Sequence, residues 1–232
     1  MNRSRPATFR ISTARVALLA LIGLLAACQQ TRFEAPPTGE LAQCDQRWVG
    51  AWRVESSRDA GDDDEGPIYW VVGKDCGDYQ MLEPDGESDD DDEFTLRYIT
   101  SGKHDFIVDV PKPDADAKDS DWESAYMLVR YEFRGDDEIR AYDVDNRAVA
   151  RMIVDGGIAG RTEVRSKAQA DSSIKLDSVE NLVYGSSAAT DAVIRRKGVF
   201  VRKPWLVLHR VSEEEATKAK INARERRSPE GG

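Results

Sequence analysis

Few side chains in this 232-residue sequence are of types that catalyse reactions, and their spacing matches no catalytic motif. His104, beside Asp105, and His209 are the two histidines, and neither has a Ser or Cys at a spacing typical of a nucleophilic site. A P-loop, a dinucleotide-binding loop and a zinc knuckle are also missing from the sequence. We therefore predict a non-enzymatic protein without a cofactor. A Ser-His-Asp site assembled in three dimensions, or a carboxylate pair for glycosidic chemistry, stays open as the alternative.

Acidic side chains are concentrated in three segments, residues 57–66, 84–93 and 111–121. Together they hold sixteen carboxylates against three cations. Because Ca²⁺ binds about six to eight oxygens, such segments could hold a cation, although none fits the calcium-loop pattern. The weak candidates for a metal site are Asp62, Asp63, Asp64, Asp90 and Asp92. The other interpretation is a solvated surface that faces a cationic protein partner.

The overall charge excludes some partners. The chain has 33 Lys and Arg against 43 Asp and Glu, a net charge of −10. A duplex-binding surface needs a basic face, so we expect no nucleic-acid partner. The hydrophobic content of 40% is enough for a core, and the length suits one domain with appendages.

The first 27 residues predict an export signal. Four arginines precede an apolar run of twelve residues, which is too short for a bilayer span and has the length of a signal-peptide core. Leu25-Ala26-Ala27-Cys28 resembles the lipobox of bacterial lipoproteins. The resemblance implies cleavage before Cys28, a diacylglycerol thioether on its sulfur and acylation of the new amino terminus. Gln29, in place of an Asp, implies an outer-membrane lipoprotein, which we expect to face the periplasm.

Removal of residues 1–27 takes away four arginines and no acid, so the mature charge is −14. Anionic lipid repels an acidic body, and attachment should therefore rest on the acyl chains. Residues 28–43, which contain Pro36, Pro37 and Gly39, predict a flexible tether after the lipidated cysteine. We expect a β-barrel domain at 44–211 and a polar tail at 212–232.

From residue 48 the sequence predicts a mainly β fold. Apolar and polar residues alternate at 94–98 and 127–133, which indicates strands with one buried face. Further strands are predicted at 48–55, 68–72, 78–82, 104–110, 138–142, 160–164, 174–176 and 205–211. Short strands at this spacing favour an antiparallel up-and-down barrel.

Helical patterns interrupt the predicted strands. Asp145 could cap a helix at Asn146–Val154, and a second helix is predicted from Asp177 or Ser178 to about residue 197. Ser212 begins a capping box, so the polar C-terminal tail is expected to be helical or disordered.

Connection lengths alternate between long and short. Every second connection of an up-and-down barrel lies at the same end, so the three acidic segments should share one mouth, opposite the tether. Cys44 precedes the first strand and Cys76 follows the second, which places both at the other end. In the oxidising compartment that the leader implies, we expect a Cys44–Cys76 disulfide.

Gly50-Ala51-Trp52 resembles the G-x-W motif that opens the first strand of lipocalins. The resemblance implies that Trp52 closes one end of a lipocalin-like barrel and that a late arginine packs across it, for which Arg210 is the candidate. If the barrel is hollow, its inward positions would line an apolar cavity. Those positions are Trp70, Phe94, Leu96, Tyr98, Phe106, Val129, Tyr131 and Phe133. The same side chains could equally fill the interior.

These features together predict a lipid-anchored envelope protein that binds a small apolar ligand inside its barrel. The alternative is an interaction module, such as an inhibitor or an assembly accessory. Its acidic loops would engage a cationic protein or a divalent cation.

Overall fold

The computed structural model describes residues 29–56, 67–76, 79–83, 86–87, 96–111, 122, 124–168 and 174–227. These residues form a mainly β structure, as predicted, with helices between and after the strands. No helix within the described ranges is long and apolar enough to cross a membrane. The leader, Cys28 and most of the three acidic segments lie outside these ranges.

The described elements follow one another in this order along the chain. The strands are β1 (Gln29–Phe33), β2 (Gly50–Ser56), β3 (Ile68–Val72), β4 (Tyr79–Glu83), β5 (Gly86–Glu87), β6 (Leu96–Ser101), β7 (His104–Asp109), β8 (Met127–Arg134), β9 (Glu138–Tyr142), β10 (Gly160–Ala168), β11 (Ile174–Val183) and β12 (Leu206–Arg210). The helices are α1 (Asn146–Val154), α2 (Ser187–Ile194) and α3 (Glu213–Arg227), and a 3-10 turn spans Gln46–Trp48.

Nine strands form one antiparallel sheet that curls into a half-barrel, in the order β5-β4-β3-β2-β12-β9-β8-β7-β6. Strands β2 to β5 and β6 to β9 are two meanders, and β12 joins them by pairing with both β2 and β9. Within the described residues the sheet does not close, which corrects the predicted barrel. β6 is the last strand of the sheet, and among the described strands its outer side does not pair with β5. Tyr98 on that side forms two 2.8 Å backbone hydrogen bonds with Ala42.

The strand ends that flank the acidic segments lie together at one end of the large sheet. Asp109 pairs with Leu96 in β6 and with Met127 in β8, so the segments before β6 and after β7 leave from the same side. Ser56, which precedes residues 57–66, pairs with Leu206 at that end too. The position of these strand ends agrees with the predicted alternation of long and short connections. We call this end of the sheet the acidic end.

Three further strands form a second sheet in the order β1-β11-β10. β1 runs parallel to β11 and buries Phe33 completely, so residues 29–33 are not the flexible tether that the sequence predicts. The prediction of a tether failed for a physical reason. The backbone N–H and carbonyl groups of Gln29–Phe33 find hydrogen-bond partners in β11, a strand far away in sequence. Phe33 also pairs with Tyr126 at the acidic end, whereas the tether was expected opposite.

A buried polar network fixes β1 to this second sheet and to α1. The Asn181 side-chain amide is fully buried and donates to Thr31 Oγ1 and to the Asn146 backbone carbonyl, each at 2.9 Å. Thr31 Oγ1 in turn donates to Asn146 Oδ1 at 2.7 Å, and Thr162 Oγ1 donates to Asn181 Oδ1 at 2.9 Å. Because buried polar groups cost free energy when they lose a partner, this network holds the amino-terminal strand in one register.

The helices agree only partly with the prediction. α1 spans the predicted Asn146–Val154, and Asp145 Oδ1 accepts a hydrogen bond from the Ala148 N–H at 3.0 Å as its cap. The second helix begins nine residues after Ser178, because that residue lies in β11 and only Ser187–Ile194 is helical. Pairing with β10 and β1 favours an extended conformation at 174–183 over the local helical pattern. In the tail, Ser212 Oγ caps α3 by accepting from the Glu215 N–H at 3.1 Å.

Hydrophobic residues cover both faces of β6 to β9. The concave face packs around Trp48 and Trp52, together with Tyr131, Ile139 and Leu208. The convex face packs against the segment between β9 and β12, which contributes Val149 from α1, Val193 and Ile194 from α2, and Phe200. The inserted segment therefore forms a second layer on the outside of the half-barrel.

The predicted disulfide is present between Cys44 and Cys76, which are 5.1 Å apart at their Cα atoms. Cys44 follows the Ala42 pairing with β6, and Cys76 lies in the connection after β3. The bond therefore joins the segment along the β6 edge to the other meander of the large sheet.

Candidate functional site

An aromatic cluster fills the concave side of the half-barrel, and Trp48 lies at its centre. The side chain of Trp48 is 1% exposed, and its ring centroid lies 5.2 Å from that of Tyr131 and 5.5 Å from that of Trp70. The other rings in contact are those of Trp52, Tyr98 and Phe133. The contacts with Tyr131, Trp70 and Phe133 are edge-to-face, the favourable geometry for aromatic pairs.

The structure gathers six of the eight predicted cavity residues around this tryptophan. They are Trp70, Leu96, Tyr98, Val129, Tyr131 and Phe133. The space between them is occupied by the Trp48 ring, a side chain of the protein itself. Phe94, the seventh residue, lies outside the described residues.

Phe106, the eighth predicted cavity residue, lies on the opposite face of the sheet. Its ring centroid is 5.7 Å from that of Phe200, in the convex cluster. The reason is strand parity: Ile107 pairs with Tyr98 and Val129 and shares their concave face, so its neighbour Phe106 points the other way. The sequence pattern could not reveal this because both faces of β7 are apolar.

Trp48 is the central residue that sequence reasoning missed. The sequence predicted a strand from residue 48, but Trp48 ends the 3-10 turn Gln46–Trp48 just before β2. Asp45 caps that turn by accepting a 3.0 Å hydrogen bond from the Arg47 N–H. The Trp48 carbonyl then accepts a 2.7 Å bond from Trp52 Nε1. A second tryptophan four residues before the G-x-W tryptophan was the available signal.

Arg210 packs over Trp52. These are the two residues that the lipocalin resemblance assigns to closure of the barrel. The guanidinium carbon lies 4.1 Å from the Trp52 ring centroid, a cation–π distance. The same guanidinium donates to the backbone carbonyls of Val49 and Arg47 at 2.8 Å and of Asp136 at 2.7 Å. Arg210 thus ties the end of β12 to the residues before β2 and to the β8–β9 turn.

Gly50 is required where it stands for two reasons. Its φ is +127°, a conformation that a residue with a side chain rarely adopts. A Cβ at this position would lie 2.6 Å from Arg210 Nη1, and the three hydrogen bonds of that guanidinium prevent it from moving freely. Gly50, Trp52 and Arg210 therefore pack together as one unit.

A polar cluster borders the aromatic interior at the same end. Arg47 Nη2 donates to Asp45 Oδ2 at 2.6 Å and to Asp105 Oδ2 at 2.8 Å, and its guanidinium lies 4.5 Å from the Phe133 ring centroid. The buried Tyr131 hydroxyl donates to Asp45 Oδ2 at 2.8 Å. These contacts hold the 3-10 turn against β7 and β8, and with it the Trp48 ring.

The cluster shifts the pKa values of its members in consistent directions. Burial opposes ionisation of Asp45, but hydrogen bonds from Arg47 and Tyr131 outweigh it and lower the pKa of the carboxyl below its ordinary value of 3.8. Burial, followed by the hydrogen bond to Asp45, raises the pKa of Tyr131. Asp45 is therefore the charged partner and Tyr131 the neutral donor at neutral pH.

The two histidines make contacts of other kinds. His209 Nε2 is 3.2 Å from Glu55 Oε2, and the His104 ring packs edge-on against Phe106 at 6.4 Å. Burial, followed by the charges of Arg130 and Lys103, lowers the pKa of His104. None of these contacts forms a pair of a nucleophile with a base.

The candidate metal residues cannot be placed in this way. Asp62, Asp63, Asp64, Asp90 and Asp92 all lie outside the described residues. Across the part of the chain that is described, no group of three or more His, Cys, Asp or Glu could hold a metal ion.

Comparison of this chain with models of protein families, with curated proteins and with solved structures finds no match.

Replacement of Trp48 by alanine should lower the free energy of unfolding by about 3–5 kcal/mol, because it removes the ring at the centre of a packed aromatic interior. Urea unfolding followed by circular dichroism measures the loss. Trp48→Phe is the matched control and should cost less, since a ring still occupies the site. A loss below about 1 kcal/mol for Trp48→Ala would mean that the surrounding side chains do not pack against this ring.

The lowered pKa of Asp45 predicts a pH dependence. A carboxyl whose folded pKa is depressed contributes stability above its unfolded pKa and loses that stability as the pH falls through the folded pKa. The free energy of unfolding should therefore fall below about pH 4, and Asp45→Asn should flatten this decline. Denaturant midpoints at about five pH values between about pH 6 and about pH 2.5 measure this change in stability. The exposed Asp155→Asn is the control, and equal slopes for the two variants would contradict the assignment.

Proposed function

We propose that this chain is a lipid-anchored envelope protein that acts as a non-enzymatic interaction module and presents an acidic surface to a cationic protein partner. The observation that carries this proposal is the common exit of the three acidic segments from one end of the large sheet. The opposite end is occupied by the Trp48, Trp52 and Arg210 side chains. We therefore assign recognition of the protein partner to the acidic end.

The anchor is supported by the sequence Leu25-Ala26-Ala27-Cys28 and by the position of β1. Gln29, the residue next to the cysteine that the lipobox resemblance assigns to acylation, already belongs to β1. Two or three acyl chains bury enough CH₂ groups for stable attachment. Under this proposal the mature protein is held in the outer membrane and faces the periplasm, and it binds no nucleic acid.

A lipocalin-like architecture is part of the proposal. Neighbouring strands of the large sheet follow chain order within each meander, and β12 pairs with the first and last strands of the combined set, β2 and β9. The contact between Arg210 and Trp52 and the positive φ of Gly50 support the same relationship. The large sheet, which is open across the described strands, and the inserted second sheet distinguish this chain from a plain closed barrel.

A second candidate function is binding of a small apolar ligand, which the sequence analysis predicts. Its support is the convergence of six predicted lining residues on the concave face. A ligand in this position would have to displace the Trp48 ring, which contacts Tyr131, Trp70 and Phe133 directly. The packing therefore favours the interaction module.

Replacement of Cys28 by serine should abolish acylation and move the protein out of the membrane fraction, because the thioether needs a thiol. Incorporation of labelled palmitate, followed by fractionation and immunoblotting, measures both effects. The Cys44→Ser, Cys76→Ser double variant is the matched control, since it removes the disulfide and should keep the label. A Cys28→Ser protein that stays labelled and membrane-bound would contradict the anchor.

Substitution of the four carboxylates at 89–92 by asparagine should weaken binding of a lysine-rich peptide. Fluorescence anisotropy with the mature protein in neutral detergent should show that affinity falls about tenfold between about 20 and 200 mM NaCl, because salt screens exposed charges. The control carries the same change in charge elsewhere, at the exposed residues Asp155, Glu163, Glu213 and Glu214. Equal losses for the two variants would show that net charge alone, and no particular surface, determines binding.

A further inference from the structure

Strands β10 and β11 remain paired beyond the level of Gln29, the first residue of the chain that the structure describes. Among the described residues β1 pairs with β11 from Phe33 back to Gln29, which lies opposite Val179, whereas β10 and β11 remain paired from Val164 and Val179 to Ala168 and Ile174. We call the described residues 164–168 and 174–178 the ribbon. With a rise of about 3.3 Å per residue, it continues roughly 15 Å past the start of β1.

The ribbon extends in the direction of the predicted lipid anchor. β1 and β11 are parallel, so the amino-terminal end of β1, at Gln29, is the end nearest the ribbon. Only one peptide unit separates Gln29 from Cys28, a Cα separation of about 3.8 Å. The Asn146 side chain donates to the Gln29 carbonyl at 2.9 Å, and the buried contact between Thr31 and Asn181 fixes the same strand. The link between an acylated Cys28 and the fixed strand β1 is therefore too short to hold the ribbon far from the membrane.

The composition of the ribbon suits a lipid surface. It contains three cations, Arg165, Lys167 and Lys175, and one acid, Asp177, in a mature chain with a charge of −14. Val164 is 58% exposed. Exposed apolar side chains beside cations are typical of segments that lie in the headgroup region of an anionic bilayer.

We propose that the ribbon is a second membrane contact, which lies in the headgroup region beside the acyl chains of Cys28 and orients the domain on the bilayer. This inference rests on the proposed acylation of Cys28. The acyl chains retain the protein, and the ribbon determines which side of the domain faces the lipid. The occupant of this surface is thus the leaflet into which the protein's own anchor inserts.

Photocrosslinking tests the proposal in intact membrane vesicles that contain the full-length lipoprotein and radiolabelled phospholipid. A benzophenone amino acid replaces Val164 in one protein and Val154 in the other. Val154 is the matched control because it is the same residue type and is more exposed, at 76%. It ends α1 next to Ile153, whose side chain lies over Gly160 at the far end of the second sheet. We expect lipid crosslinking at 164 to exceed that at 154 about tenfold.

A charge reversal tests the role of the cations. Lys167→Glu with Lys175→Glu should lower lipid crosslinking at 164 severalfold, because the ribbon would then be repelled by anionic headgroups. The Cys44–Cys76 disulfide and the circular dichroism spectrum should be unchanged, which separates the effect from misfolding. An unchanged crosslinking yield would overturn the headgroup contact.

The remaining outcomes separate the two proposals. Equally low crosslinking at 164 and 154, with the mass of an acylated Cys28 present in the same sample, would overturn the ribbon contact and leave the anchor intact. A mass spectrum without acyl chains on Cys28 would overturn the anchor, and the ribbon contact with it.

Discussion

The packing of the Trp48 ring is the interaction that joins the strands of the large sheet around one interior. A half-barrel of nine strands leaves an apolar concave face that must be covered, and this ring covers it by contact with aromatic side chains from β2, β3, β6 and β8. The turn that carries Trp48 is held in turn by Asp45, Arg47 and Tyr131. Polar and aromatic contacts at this end therefore act together. Asp45 and Arg47 hold the turn that places the Trp48 ring, and Tyr131 contacts both Asp45 and that ring.

The residues before β2 complete what the strands leave open. Ala42 satisfies the backbone N–H and carbonyl of Tyr98 on the β6 edge, and the disulfide of Cys44 joins that segment to the connection after β3. A free strand edge is a template for unwanted pairing, so its cover has a clear physical benefit. Further back, β1 is built into the second sheet through Thr31. The amino-terminal residues are therefore a structural part of the domain, and under the proposed anchoring they place it directly at the membrane.

The distribution of charge gives the molecule two different ends. One end of the large sheet is packed with tryptophan and arginine side chains, and the acidic segments leave from the other. Concentrated negative charge favours encounter with cationic partners and opposes approach to anionic lipid. The cations of the ribbon provide the opposite preference on the second sheet. In the proposed function these two surfaces have separate partners, a protein and a bilayer.

Local sequence patterns were enough to predict the mainly β class, the cap and bounds of α1, the Cys44–Cys76 pair and the clustering of strand ends beside the acidic segments. Each follows from local periodicity, from one capping side chain or from simple alternation of connections. Three features came to light with the fold alone: residues 29–33 form a strand, residues 178–183 are extended and Phe106 faces away from the interior. Those outcomes depend on pairing and burial between residues distant in sequence, such as Gln29 with Val179, which no local pattern contains.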